Sequence, residues 1–136
     1  MDNKAKYRKF CQSASDLPIF IQDWYLDALC QDNWDVVLVE NNAGIMAALP
    51  FFLKRKFGFK YITMPPLCKM MGPYLLPIYR TTDHEHKLLE ALMVQLPKVD
   101  RFVQDFHYQY QNWLAFYWRG YSQTTRYTYL ITNLLD

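Results

Sequence analysis

Lys69, Met70, Met71, Gly72, Pro73 and Tyr74 place a cation, two soft apolar side chains, a permissive glycine and a phenol on one short, stiff stretch, with Arg80 just beyond it. Residues of these types bind rather than cleave. Lys69 can pair with a carboxylate or phosphate, Tyr74 can hydrogen-bond a carbonyl, and Arg80 can close over an anion with its planar fork. With Met71 and Gly72 they form the first candidate for a substrate site. His107, near Asp105 and Tyr108, is a candidate general base, although a lone histidine among aromatics is more often structural. Trp24, Tyr25, Trp34, Trp113, Phe116, Tyr117 and Trp118 offer faces that stack on sugars, bases or cations. Trp113, Phe116 and Tyr117, however, have the i, i+3, i+4 spacing of a helix packed on a core. Thr82-Asp83-His84-Glu85-His86 tempts a metal reading, but helical positions two apart point about 200° apart, so its histidines belong to an exposed first turn.

Other chemistries are excluded by what is missing. The glycines, Gly44, Gly58, Gly72 and Gly120, are too scattered to build a phosphate-cradling loop, so no P-loop or dinucleotide fingerprint is present. A formal net charge of +2 gives no strong field. Lys54, Arg55, Lys56 and Lys60 cluster, yet a short charge run usually marks a solvated edge, which argues against a nucleic-acid partner. Cys11, Cys30 and Cys68 are an odd number with wide spacing, which indicates neither a disulfide framework nor a zinc knuckle and fits a reducing cytoplasm. No run approaches the length of a membrane span, and Met1 to Lys9 lacks the apolar stretch of a signal peptide.

With 136 residues, 51% hydrophobic and 21% charged, the chain reads as one domain from residue 1 to 136, large enough to fold without metal or disulfide. The pattern predicts a strand near Tyr7 to Gln12. A helix starts at Asp16 or Pro18 and carries Ile21, Trp24, Tyr25, Leu26, Leu29 and Cys30. A hairpin follows, from Trp34 to Glu40 and Ile45 to Lys54 around the turn at Asn41 to Gly44, with Pro50 at a bulge or unpaired position. Phe59 to Met64 is a third strand, and Pro65 to Thr82 a long irregular connection of the kind that often carries function. A helix capped by Thr82 or Asp83 runs to Pro97. Arg101 to His107 is a strand, Asn112 to Arg119 a short helix ended by Gly120, and Thr124 to Leu130 a last strand.

This order, with the segments F-x-Q-D-W-Y-L-D-A-L-C (Phe20 to Cys30), W-D-V-V-L-V (Trp34 to Val39), L-P-F-F-L-K-R-K-F-G (Leu49 to Gly58) and P-P-L-C-K-M-M-G-P-Y (Pro65 to Tyr74), resembles the N-terminal half of FemABX-like proteins in the GNAT acyltransferase superfamily. The resemblance covers nearly the whole chain. It implies a mixed α/β fold with a largely antiparallel, twisted sheet and helices on both faces. It also implies a second GNAT-like half and an acceptor amine, on a small molecule or a peptide, that attacks a thioester or ester carbonyl. The donor of the complete enzyme would be an acyl-CoA or an aminoacyl-tRNA. GNAT folds that bind coenzyme A hold its pyrophosphate on a Q/R-x-x-G-x-G/A loop. The matching connection here, Pro65 to Asp83, has one glycine and prolines that remove N–H groups, so this domain is expected to bind no cofactor itself. The expected function is therefore acceptor binding or scaffolding. The competing reading is a non-enzymatic interaction or self-associating domain that buries aromatic surface against a partner.

Overall fold

The computed structural model describes residues 2–132. The buried residues Tyr7, Cys11 and Ala14 recur every three or four positions, and the Asp2 carboxylate caps the first turn by accepting from the Ala5 N–H at 2.7 Å. The chain therefore opens with helix α1 (Asn3–Ser13) where a strand was expected, because its apolar period is helical rather than alternating. Pro18 precedes a single 3₁₀ turn (Ile19–Ile21), and Gln22 is extended. That turn delays helix α2 to Asp23–Cys30 and leaves Asp16 free of any capping role.

The hairpin forms as expected, from β1 (Trp34–Asn41) and β2 (Gly44–Lys56). The Asn41 side-chain oxygen accepts from the Ala43 and Gly44 N–H groups and closes the turn. β2 also pairs antiparallel with β3 (Phe59–Thr63) from Phe52 onward, and with the two-residue β4 (Tyr74–Leu75) at Ala47 and Ala48. Pro50 is paired with Val36 of β1, not unpaired or at a bulge as expected, but on its other edge it lies between the β3 and β4 ladders, where no strand asks for its missing N–H and its carbonyl accepts from Gln104 Nε2 at 2.8 Å. Helix α3 (Thr82–Met93) ends before Pro97, and β5 (Arg101–Phe102) adds parallel to β3. The expected strand to His107 thus shrinks to two ladder residues plus an isolated parallel bridge, Met71 to Phe106. Helix α4 (Leu114–Trp118) is a core of the helix expected from Asn112 to Arg119.

The last expected strand does not form. Among the described residues Thr124 to Leu130 joins no strand, although Arg126 reaches Asp105 at 3.4 Å, and Tyr127 and Tyr129 are 92% and 99% exposed. Alternating β-formers need a neighbouring edge to become a ladder, and this segment reaches none.

The result is a mixed α/β fold with a largely antiparallel open sheet, in the order β1-β2-β3-β5 with β4 on the far edge of β2, and helices on both faces. On one face Tyr7, Leu26, Trp34, Val36, Ala48 and Met71 form a core with α1 and α2. On the other, Leu49, Phe51, Ile62, Leu89, Leu92 and Phe116 form a core with α3 and α4. Phe116 is thus core, as its spacing predicts, whereas Tyr117 turns outward. Across the first layer Arg8 grips Asp27 at 2.6 and 2.9 Å, and Asp27 also accepts from Trp34 Nε1 at 3.0 Å, which ties α1 to α2 and to β1. No helix among the described residues is long and apolar enough to cross a membrane.

Leu49 is fully buried between the strands and the second helix layer, so Leu49→Ala is expected to cost about 2–5 kcal/mol in urea unfolding. Tyr129→Ala should change stability by less than about 0.5 kcal/mol.

Candidate functional site

The Met71 to Phe106 bridge builds the site. The Met71 N–H donates to the Asp105 carbonyl at 2.6 Å, and the His107 N–H donates to the Met71 carbonyl at 3.1 Å. These bonds lay the proline-rich connection against the segment after β5. Gly72 permits the contact: its φ is +89°, and a Cβ there would stand 2.7 Å from Phe106 Cδ1 and 3.2 Å from Phe106 Cα. Its value to the site is close packing, not ligand access.

Beside this seam opens a cavity of about 260 Å³, lined by Asp16, Met71, Tyr74, Arg80, Glu85, His107, Tyr110 and Asn112 among others. Four of the residues singled out from sequence therefore meet: Met71, Tyr74, Arg80 and His107. Gly72 stands behind them. Lys69 is exposed and Trp24 is 57% exposed on α2, and neither lines the cavity.

Asp16 organises one wall. Its carboxylate accepts from the Tyr74 hydroxyl and from Arg80 Nη2 at 2.9 Å, while Arg80 Nε donates to the Leu75 carbonyl at 2.8 Å. The guanidinium also lies 5.3 Å from the centroid of the Tyr74 ring. Partial burial pushes the Asp16 carboxyl up, but the Tyr74 and Arg80 bonds outweigh it and hold the group below its ordinary value. Burial and the Asp16 bond raise the Tyr74 phenol, which stays a donor. Arg80 is thus already partnered and does not stand open for an anion.

The opposite wall is α3 and the segment before α4. Glu85 accepts from Asn112 Nδ2 at 2.8 Å. The Tyr110 hydroxyl is buried without a hydrogen-bond partner, and burial, then Glu85, raise its pKa. A buried hydroxyl left unpaired is the feature a bound polar group would satisfy. Burial first, and Arg80 second, hold the His107 imidazole below its ordinary value, so it is neutral at neutral pH. The Gln109 N–H donates to His107 Nδ1 at 3.2 Å, which leaves the ring proton on Nε2. In that tautomer Nε2 is a donor, not a base.

Two carboxylates against one guanidinium give the lining a net negative charge, suited to a small cation with hydrogen-bonding capacity. Sequence reasoning missed Asp16, Glu85, Tyr110 and Asn112. Asp16 read as a helix cap and Glu85 as a solvated first-turn acid, and neither signal pointed to a cavity. The histidines of the Thr82 to His86 run go separate ways: His84 Nδ1 meets Thr81 Oγ1 at 2.8 Å, and His86 Nε2 meets Asn112 Nδ2 at 3.2 Å.

No protein-family model matches the sequence, nor does any curated protein. Among solved structures the chain is similar to a ribosomal-protein-alanine N-acetyltransferase from Brucella melitensis biovar Abortus 2308, at 12% identity and a TM-score of 0.51, over 96% of this chain and 94% of that one. The likeness is one of fold, and the fold is GNAT-like.

Gly72→Ala should lose roughly 1–3 kcal/mol of stability in urea unfolding, since the new methyl meets Phe106 and a positive φ. The Asp16 carboxyl titrates below its unfolded value when folded. Its bonds therefore add stability above the ordinary carboxylate pKa and lose it as pH falls through the folded value. In Asp16→Asn the drop in melting temperature below about pH 4 should be shallower than in the parent. The His107 ring should titrate below its ordinary value by NMR, and Arg80→Gln should raise its midpoint.

Proposed function

We propose that this chain is the acceptor-binding half of an acyl- or aminoacyl-transferase that acts on an amine, built on a FemABX-like plan. The observation that carries this reading is the cavity between the Asp16–Tyr74–Arg80 cluster and Glu85, with the unpartnered Tyr110 hydroxyl in its lining. An ammonium group entering it meets Glu85 as counter-ion, and its substituents meet Met71 and Ile21. At about 260 Å³ the cavity accommodates a small amine or the first residue of a peptide rather than a coenzyme.

The donor, an acyl-CoA or an aminoacyl-tRNA, would be held by a second GNAT-like half. The connection leading to α3 supports that division of labour, since Pro65, Pro66, Pro73 and Pro77 offer no N–H to a pyrophosphate. In the transfer the bound ammonium first loses a proton to water; the free amine nitrogen then bonds to the carbonyl carbon, the bond from that carbon to the thiolate or alkoxide breaks, and the second nitrogen proton goes to the departing group. This half orients the amine for that attack. The reading also places the protein in a reducing compartment such as the cytoplasm. In support, Cys11, Cys30 and Cys68 are free and buried, with burial raising each thiol to about 11.

Self-association is the second reading, favoured by the outward faces of Tyr117 and Trp118 on α4 and of Trp24 on α2. Light scattering separates it, since a dimer lost on Trp118→Ala would establish such an interface.

The acceptor reading predicts, by calorimetry, that a tripeptide with a free N-terminus binds at least about tenfold tighter than its N-acetylated form. Glu85→Gln should weaken the free peptide several-fold, since one charge-assisted contact is lost. Equal binding of the two peptides would sink the amine site. Micromolar binding of acetyl-CoA would instead show that this domain holds the donor itself.

A further inference from the structure

The β2–β3 hairpin projects beyond the core with a side-chain order that charge counting alone does not show. Lys56 pairs with Phe59 and Lys54 with Tyr61, and on the next strand Arg101 pairs with Tyr61. Strand alternation puts these five on one face, the face that carries Phe52 and Ala48 toward α1 and α2 nearer the core. Arg55 and Lys60 pair on the opposite face, with Leu53 and Ile62. The helices do not cover the strip: Lys54, Lys56 and Arg101 are exposed, and so is 52% of Phe59.

The Phe59 and Tyr61 rings lie 6.3 Å apart, centroid to centroid. Each has a lysine directly across the ladder, and Tyr61 has Arg101 on its other side, at strand spacings of about 4.8 Å. No acid belongs to the strip, and none of its three cations makes an ion pair among the described residues. The nearby Asp100 carboxylate is engaged by the Lys60 backbone N–H at 2.9 Å. At the turn, Phe57 adopts φ +52°, a conformation for which asparagine or glycine is the usual choice, and is 88% exposed. With Gly58 at φ +80° it completes the two-residue turn, and the Lys56 ammonium lies 5.5 Å from its ring centroid.

We propose that this strip, from Phe59 and Lys56 through Tyr61 and Lys54 to Arg101, binds single-stranded nucleic acid, with its rings stacking on bases and its cations holding the flanking phosphates. Rings two residues apart along a strand repeat about every 6.7 Å, roughly twice the per-strand rise of a stacked duplex. A base that stacks on either ring gives up its stacked neighbour on that face, which a single strand does and a duplex resists. A lipid surface fits less well, because Tyr61 and Arg101 lie back along the sheet, away from the turn that would insert.

The test is fluorescence anisotropy of the 136-residue chain with a fluorescein-labelled uridine 12-mer, beside a duplex of equal length. The expected dissociation constant is on the order of 10⁻⁴–10⁻⁶ M at physiological salt, with a log–log salt slope near −2 for about three phosphate contacts. Phe59→Ala should bind roughly five- to a hundredfold more weakly, and Phe59→Trp should bind as the parent does. The triple change Lys54→Gln, Lys56→Gln, Arg101→Gln should flatten the salt slope, whereas Arg55→Gln with Lys60→Gln should keep more of it. Each variant is first matched to the parent's melting temperature. The proposal is overturned if no binding occurs below about 10⁻³ M, if the duplex binds equally well, or if Phe59→Ala is silent. It is also overturned if phosphatidylserine vesicles, and not the oligonucleotide, capture the protein.

Discussion

β2 is the strand on which the rest of the structure depends. Its alternation divides the chain into two apolar layers, with Ala48 and Phe52 facing α1 and α2 while Ala47, Leu49 and Phe51 face α3 and α4. Three strands take their register from it. A one-residue slip would exchange the two layers and expose both, so the register is held by burial on each side. Pro50 is tolerated in so central a position only because the β3 and β4 ladders stop on either side of it.

That same gap shapes the functional seam. β4 occupies the near end of β2 and β3 the far end, so the segment between them must cross from one to the other. It does so through Met71, which bridges to Phe106. Residues from four separate stretches, Asp16, Tyr74 with Arg80, Glu85 and His107 with Tyr110, then surround one cavity. Its electrostatics follow from pairing: Asp16 neutralises Arg80 and leaves Glu85 as the charge an entering group meets. The basic, aromatic strip at the other end of the sheet is independent of this seam, since its residues lie beyond the cavity's lining.

The hairpin and the third strand were legible because each is a local pattern closed by local turn chemistry, and α3 because of its apolar stripe, although its N-cap is Thr81 rather than Thr82 or Asp83 and no side chain bonds the first turn there. The opening helix was not. Tyr7 to Gln12 is too short a window to separate periods of 2 and 3.6, and only Ala14 and the Asp2 cap reveal the longer one. The strand at Thr124 to Leu130 was misread for a different reason, because β-propensity says nothing about whether a free edge lies within reach. At the site, Met71, Tyr74, Arg80 and His107 stood out by composition and position on a stiff segment. Asp16 and Glu85 did not, because their importance comes from facing partners 58 and 27 residues away, and no spacing rule encodes that. Lys69 shared the segment but is exposed and outside the cavity, because the connection before Met71 is irregular, with Leu67 at φ +61°, and follows no strand alternation.

On the proposed reading, the seam between the Met71 to Tyr74 segment and His107 receives an amine. It is tested most directly by titrating ¹⁵N-labelled protein with a free-amine tripeptide and following the backbone amides. An amine bound at the seam should shift Met71, Tyr74, Glu85, His107 and Asn112, saturably and not with the N-acetylated peptide. Shifts at other positions, or the same shifts with the acetylated peptide, would contradict it.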